Sequence, residues 1–194
     1  MRTPKVGFSL IGIVILGLII FQSIPNAFSS KNEQTDLIKR GEYLVTIGGC
    51  HDCHSPKKMM AMGPVVDESL NYSGFQAGLK LPEVNMKLIG PGKWDGFMAH
   101  GLTAFVGHWG ATFAANLTPD NSTGIGKWTE KTFIDALRNG KHAGAGRPIL
   151  PPMPWQNVAK ATDDDLKAML AYFKSLPPIK NKVPAPIPPD QLMK

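Results

Sequence analysis

Residues 48–58 read GGCHDCHSPKK, and Cys50 and Cys53 are the only cysteines in 194 residues. Two thiols at this spacing, followed at once by His54, serve three chemistries: a thioredoxin-like dithiol, half of a zinc site, and covalent attachment of a c-type haem through C-x-x-C-H. Zinc needs further ligands from His51, His54, His100, His108 or His142, and the last three show no paired H-x-x-x-H type of spacing. A thioredoxin-like site wants a strand before the motif, whereas here an amphipathic helical pattern leads into it. A disulfide across two residues would close a tiny loop and stabilise little. Haem attachment accounts for the thiols and the histidine together. Cys50 and Cys53 then form thioethers to the two vinyl groups, and His54 is carried onto the iron as proximal ligand. His51, held between the cysteines, reads as a solvated spacer.

The elements that must position these residues are mostly helical. Thr35 or Asp36 can cap a helix running to about Gly48, with Leu37, Ile38, Leu44, Val45 and Ile47 as its apolar positions. In TEKTFIDALRNG, Thr129 is the N-cap, Phe133, Ile134 and Leu137 form the buried stripe, and Gly140 is the stop. In TDDDLKAMLAYFKSLPP, Thr162 caps, three aspartates sit at the positive end of the helix dipole, and Leu166, Met169, Leu170 and Phe173 follow helical spacing. Between the first two helices the chain is rich in Gly and Pro with little periodicity, apart from a short helix expected near KWDGFMAHG. So long a loop in a compact domain is expected to wrap something.

The N-terminal stretch MRTPKVGFSLIGIVILGLIIFQSIPNAFSS has Arg2 and Lys5, then an uncharged run from Val6 to Ile24. At helical rise that run reaches roughly 28 Å, close to the hydrocarbon thickness. It is longer than the usual signal-peptide core, which favours a retained anchor, while the small residues Ala27 and Ser29 keep a cleaved signal open. The positive flank places the N-terminus in the cytoplasm and the remainder outside. Both thiols then enter an oxidising compartment. The expected organisation is a signal anchor or transmembrane helix over 1–27, a linker over 28–34, a haem domain over 35–178 and a proline-rich tail over 179–194. The expected location is the inner membrane, with the domain on its periplasmic side.

Three segments, GEYLVTIGGCHDCHSPK, NLTPDNSTGIGKWTEKTFIDALRNGKH and ILPPMPWQNVAKATDDDLKAMLAYFKSLPP, resemble the class I cytochromes c. They are most similar to the cytochrome c domains of membrane-bound dehydrogenase cytochrome subunits and related respiratory cytochromes. The resemblance implies a mainly α fold, a small helical bundle around one covalently bound haem c, with the first and last helices crossing near Gly41. It also implies Met153, between prolines in LPPMPW, as the distal iron ligand. His100, His108 and His142 stand as the bis-histidine alternative, and Met86 and Met98 as other thioethers. Pro64 matches the family's Gly-Pro, whose carbonyl accepts the Nδ1–H of the proximal histidine; its other reading is a turn proline. Trp128 matches a group that bonds a haem propionate, its other reading a core indole; Arg147 is a further candidate to pair a propionate, its default reading an exposed Arg. No second C-x-x-C-H is present, so one haem is expected.

Hydrophobic content of 43% and charged content of 19% exclude a disordered chain. Lys and Arg exceed Asp and Glu by 21 to 15. From Ala136 to Thr162 there is no acid, while Arg138, Lys141, Arg147 and Lys160 are present, and Lys57 and Lys58 follow the cysteine motif. These predict a basic rim that steers an acidic redox partner. Nucleic acid is not expected, because no reading motif is present. Two functional classes remain: a non-enzymatic single-electron carrier or complex subunit in a respiratory chain, and a haem sensor or peroxidase-like enzyme with a labile sixth ligand.

Overall fold

The computed structural model describes residues 31–192. The chain divides into two units, Met1–Leu37 and Ile38–Lys194. In the first, residues 31–37 are helical and the Thr35 hydroxyl donates to the Lys31 carbonyl at 2.8 Å. A hydroxyl bonding back one turn marks a helix interior. Thr35 and Asp36 therefore do not open a helix, and residues 31–34 are helical where a linker was expected. Among the described residues no helix is long and apolar enough to cross a membrane. This overturns the inner-membrane placement through a single N-terminal helix; the 1–27 segment on which it rested lies outside the described residues.

In the second unit the elements are α1 (38–47), α2 (Cys50–His54), β1 (Lys57–Met60), β2 (Gly63–Val66), β3 (Gly96–Ala99), β4 (Ala104–Gly107), β5 (Gly110–Phe113), α3 (Glu130–Asn139), α4 (Trp155–Val158), α5 (Asp163–Ser175) and α6 (Pro189–Leu192). The caps read from sequence for α3 and α5 are present. Thr129 Oγ1 accepts from the Thr132 amide and Thr162 Oγ1 from the Asp165 amide, each at 3.1 Å. Gly140 closes α3 in the left-handed conformation. The core joins Val45 of α1, Phe133 and Leu137 of α3, and Leu166, Met169, Leu170 and Phe173 of α5 to Tyr72 and Ile125. Val45 and Leu166 are fully buried, so the apolar stripes face one another as their spacing requires. Where α1 meets α5, a Cβ on Gly41 would collide with the Ala168 backbone. The missing side chain permits that crossing.

The segment expected to be irregular holds two antiparallel sheets. β1 and β2 form a hairpin, with Lys57 opposite Val66 and Met60 opposite Gly63. β3, β4 and β5 form a three-stranded meander. The helix expected near KWDGFMAHG is a turn followed by β3, because Phe97 and Met98 find their hydrogen-bond partners across the sheet in β4. Such pairing depends on residues distant in sequence, and short strands carry little periodicity of their own.

The proline-rich tail is bound along the domain. Asn181, 5% exposed, donates from Nδ2 to the carbonyls of Ser73 at 2.7 Å and Phe75 at 2.8 Å, and its Oδ1 accepts from the Ala77 amide at 2.9 Å. Asn116 Nδ2 donates to Ile179 O at 2.8 Å. Further on, Ile187 and Ala111 exchange both backbone hydrogen bonds, at 2.8 and 2.9 Å. The tail thus covers the edge of β5, which would otherwise present unpaired amides.

Candidate haem site

Gly49, with φ of 63°, turns the chain out of α1 and into α2. This left-handed geometry suits a residue without Cβ. On the single turn that follows, Cys50 and Cys53 are three apart and share a face. Both are free thiols. Burial pushes Cys50 up to about 11, with the Cys53 and Asp52 charges adding to it. Cys53 is raised as well, again by burial first. A redox dithiol needs the opposite shift, toward the thiolate. His51 turns aside from the cavity and pairs with Asp52 at 3.2 Å.

His54 is buried, and its Nδ1 lies 2.8 Å from the Ala115 carbonyl. A carbonyl only accepts, so Nδ1 carries the proton and Nε2 of the neutral ring keeps its lone pair. Burial lowers the basicity of His54, against the opposing Ala115 hydrogen bond. Both effects leave the imidazole in the form that binds metal, with its orientation fixed by the second nitrogen. The carbonyl expected for this role was Pro64. Pro64 instead lies exposed in β2, opposite Met59, because residues 57–66 form a hairpin and Lys57 ties its base elsewhere.

An apolar cavity of about 320 Å³ is lined by Cys50, Cys53, His54, Met153, Trp128 and Arg147, which brings together six of the residues singled out in the sequence. Its volume falls in the range of sites for sizeable organic ligands. α3 and α5 contribute Phe133, Leu137, Met169 and Phe173, and the sheet contributes Phe105, Thr112 and Phe113. Pro186 of the tail also lines it. Of the alternative ligands only His142 reaches the cavity. His100 lies on Phe75, with Nε2 2.8 Å from Lys80 O, and His108 lies against Trp109. Met86 and Met98 do not line it, and Met169 lines it from α5 as part of the packed core. His142, edge-on to Trp128 at 5.3 Å, has its basicity lowered by burial and by the neighbouring Arg147 cation. Sequence reasoning missed Phe105, Thr112 and Phe113, whose only signal was the β-branched and aromatic content of AFVGHWGATF, and Ala115, which carried none.

The donor set fits a haem. Two half-buried, protonated thiols, a neutral buried imidazole and a thioether all line one apolar cavity, with an indole and a guanidinium available to acidic substituents. The basic rim is thinner than its sequence promised. Lys57 Nζ donates to the carbonyls of Asp52, Ser55 and Gly101, and Arg138 pairs with Asp163 at 2.6 Å while bonding Ala161 O at 2.8 Å. Lys58 pairs with Asp67 at 3.1 Å. Lys141, Arg147 and Lys160 remain exposed.

No protein-family model matches the chain. It is 30% identical over 82% of its length to the gluconate 2-dehydrogenase cytochrome c subunit of Pantoea cypripedii, of which it covers 27%. It is 29% identical over 71% of its length to the cytochrome c subunit of a quinone alcohol dehydrogenase of Gluconobacter oxydans (strain 621H), of which it covers 21%. The cytochrome subunit of fructose dehydrogenase from Gluconobacter japonicus is 36% identical over half of the chain, 50%, and 19% of its own length. The chain thus spans about a quarter of the curated relatives it matches first. Over most of its own length, the chain resembles the cytochrome c subunits of dehydrogenases, as its cysteine motif and helices implied.

Proposed function

We propose that this chain is an electron-transfer protein and not an enzyme, a single-haem c-type cytochrome that carries electrons for a dehydrogenase complex or a related respiratory partner. The observation that supports this most is the convergence of Cys50, Cys53, His54 and Met153 on one apolar cavity. In this reading Cys50 and Cys53 would hold haem c through thioethers, and His54 and Met153 would bind its iron. Haem bound there supplies a one-electron iron couple, and a His/Met pair raises its potential. The chain's residues do the rest. Ala115 fixes the His54 ring, Phe133, Leu137 and Phe173 exclude water, and Trp128 and Arg147 receive the acidic edge. A low local dielectric keeps reorganisation small when one charge arrives or leaves.

The partner class follows from the relatives, which are subunits of dehydrogenases. Lys141 and Lys160 suit an acidic docking face, whose association weakens as salt rises.

Denaturing electrophoresis tests the attachment. The purified full chain keeps haem-derived peroxidase staining through denaturation, and Cys50→Ala with Cys53→Ala loses it. Staining retained by the double variant would refute thioether attachment. The reduced holoprotein is expected to be low-spin with no spectral change under carbon monoxide. A full carbon monoxide shift would favour a sensor or peroxidase-like site instead.

A further inference from the structure

The sheet wall of the cavity reaches toward both residues assigned to the iron. We propose that Thr112 is a positioning residue for Met153, holding the methionine loop on the haem face by a hydrogen bond from its hydroxyl; this rests on the haem reading above. Met153 is flanked by Pro151, Pro152 and Pro154, none of which has an amide N–H to tie the loop down. Four hydrogen bonds hold residues 151–154: the Trp155 amide donates to Met153 O at 2.9 Å, the Asn157 and Val158 amides donate to Pro154 O at 3.0 and 3.4 Å, and Thr112 Oγ1 donates to Pro151 O at 2.8 Å. The three backbone bonds are local to the loop and α4 and move with them. The Thr112 hydroxyl ties the loop to the sheet.

Thr112 is well placed to act as that tie. It is 7% exposed, on β5, opposite Phe105 of β4. Its neighbour Ala111 is fixed by the backbone exchange with Ile187 of the tail. Two residues further, the Ala114 amide donates to Thr103 O at 2.9 Å, and its carbonyl accepts from the Phe75 amide at 3.0 Å. The following carbonyl, Ala115, is the one that orients His54. A single restrained segment, 111–115, therefore presents a hydroxyl to the Met153 loop and a carbonyl to His54. Thioether is a weak ligand that competes with added bases for the sixth position. Restraint of its loop sets the effective concentration at which it competes.

The test uses the full-length holoprotein in the oxidised state, titrated with imidazole while the weak far-red thioether-to-iron absorption is followed. Thr112→Val removes the hydroxyl at nearly constant volume and is expected to bind imidazole about five- to tenfold more tightly, the scale of one lost hydrogen bond. Thr112→Ser is expected to stay within about twofold of the parent. A Thr112→Val affinity within about twofold of the parent, or a Thr112→Ser protein as loosened as the valine variant, overturns the proposal. Should Thr112→Val yield no holoprotein, the Thr112→Ala and Thr112→Ser pair is read by the same criteria. Met153→Ala separates the two levels. If it keeps the far-red absorption, Met153 is not the ligand and both readings fall. If it abolishes the absorption while Thr112→Val leaves imidazole affinity unchanged, only the positioning role falls.

Discussion

The cavity has two unlike walls. On one side α3 and α5 present Phe133, Leu137, Met169 and Phe173, all apolar and part of the continuous core. On the other, β4, β5 and the chain to Ala115 present directed polar groups as well as rings, the Thr112 hydroxyl toward Pro151 and the Ala115 carbonyl toward His54. The helical wall fills volume and excludes water, which dispersion and apolar burial do without regard to direction. The strand wall orients, which needs hydrogen bonds at fixed angles. Stability and ligand geometry are therefore expected to separate under mutation, and four substitutions measure how cleanly.

The largest effect is expected on the helical wall. Phe173, 2% exposed, touches the Tyr72, Phe133 and Tyr172 rings, and Phe173→Ala should lower unfolding stability by about 3–5 kcal/mol in denaturant titration. A loss below about 1 kcal/mol would mean that this wall is not a packed core.

Next comes Lys57, which joins α2 to the sheet wall through three carbonyls and leaves no charge free for the rim. Lys57→Met should cost about 1.5–3 kcal/mol, the range for charge-assisted bonds, with the salt dependence of electron transfer unchanged. A changed salt slope with intact stability would return Lys57 to the docking surface.

Asn181 holds the tail to the 73–77 segment. Asn181→Ala leaves three backbone groups without their partner, at a cost of about 1–3 kcal/mol, and should speed hydrogen exchange at the Ala77 amide. Unchanged exchange there would show the tail to be dispensable.

The smallest effect is confined to acid. Hydrogen bonds from Thr123 and Ser122 hold the Asp120 carboxyl down at about 2, against an ordinary 3.8. A depressed carboxyl stabilises the fold above its unfolded value, and that contribution is lost as pH falls from 3.8 through about 2. Asp120→Asn should flatten the pH dependence of stability inside that window and leave the profile above it unaltered. An equally steep decline in the variant would assign acid sensitivity elsewhere.

How much was legible in the sequence follows the same division. Thr129 and Thr162 caps and the Phe133–Leu137 and Leu166–Phe173 stripes were readable because helix signals repeat within one or two turns, whereas the Gly41 crossing came from the family resemblance alone. β3 to β5 were not, because their partners lie across turns and four-residue strands leave too short a pattern. The Pro64 assignment failed for a related reason. An analogy of position cannot see that the chain folds back as a hairpin and that Ala115, sixty-one positions from His54, supplies the carbonyl. The rim failed in part because charge counts do not show which lysines are already bonded internally.

By itself the sequence determined the chemistry on offer: two cysteines and a histidine on one turn, a methionine among prolines, and three helices able to bury a common core. Covalent spacing and helical periodicity are local, so they survive without knowledge of the fold. Only the tertiary structure decided which carbonyl orients His54, which hydroxyl meets the methionine loop, and where the tail lies. Each of those is a contact between residues distant along the chain, and its free energy exists only once the intervening loops have closed.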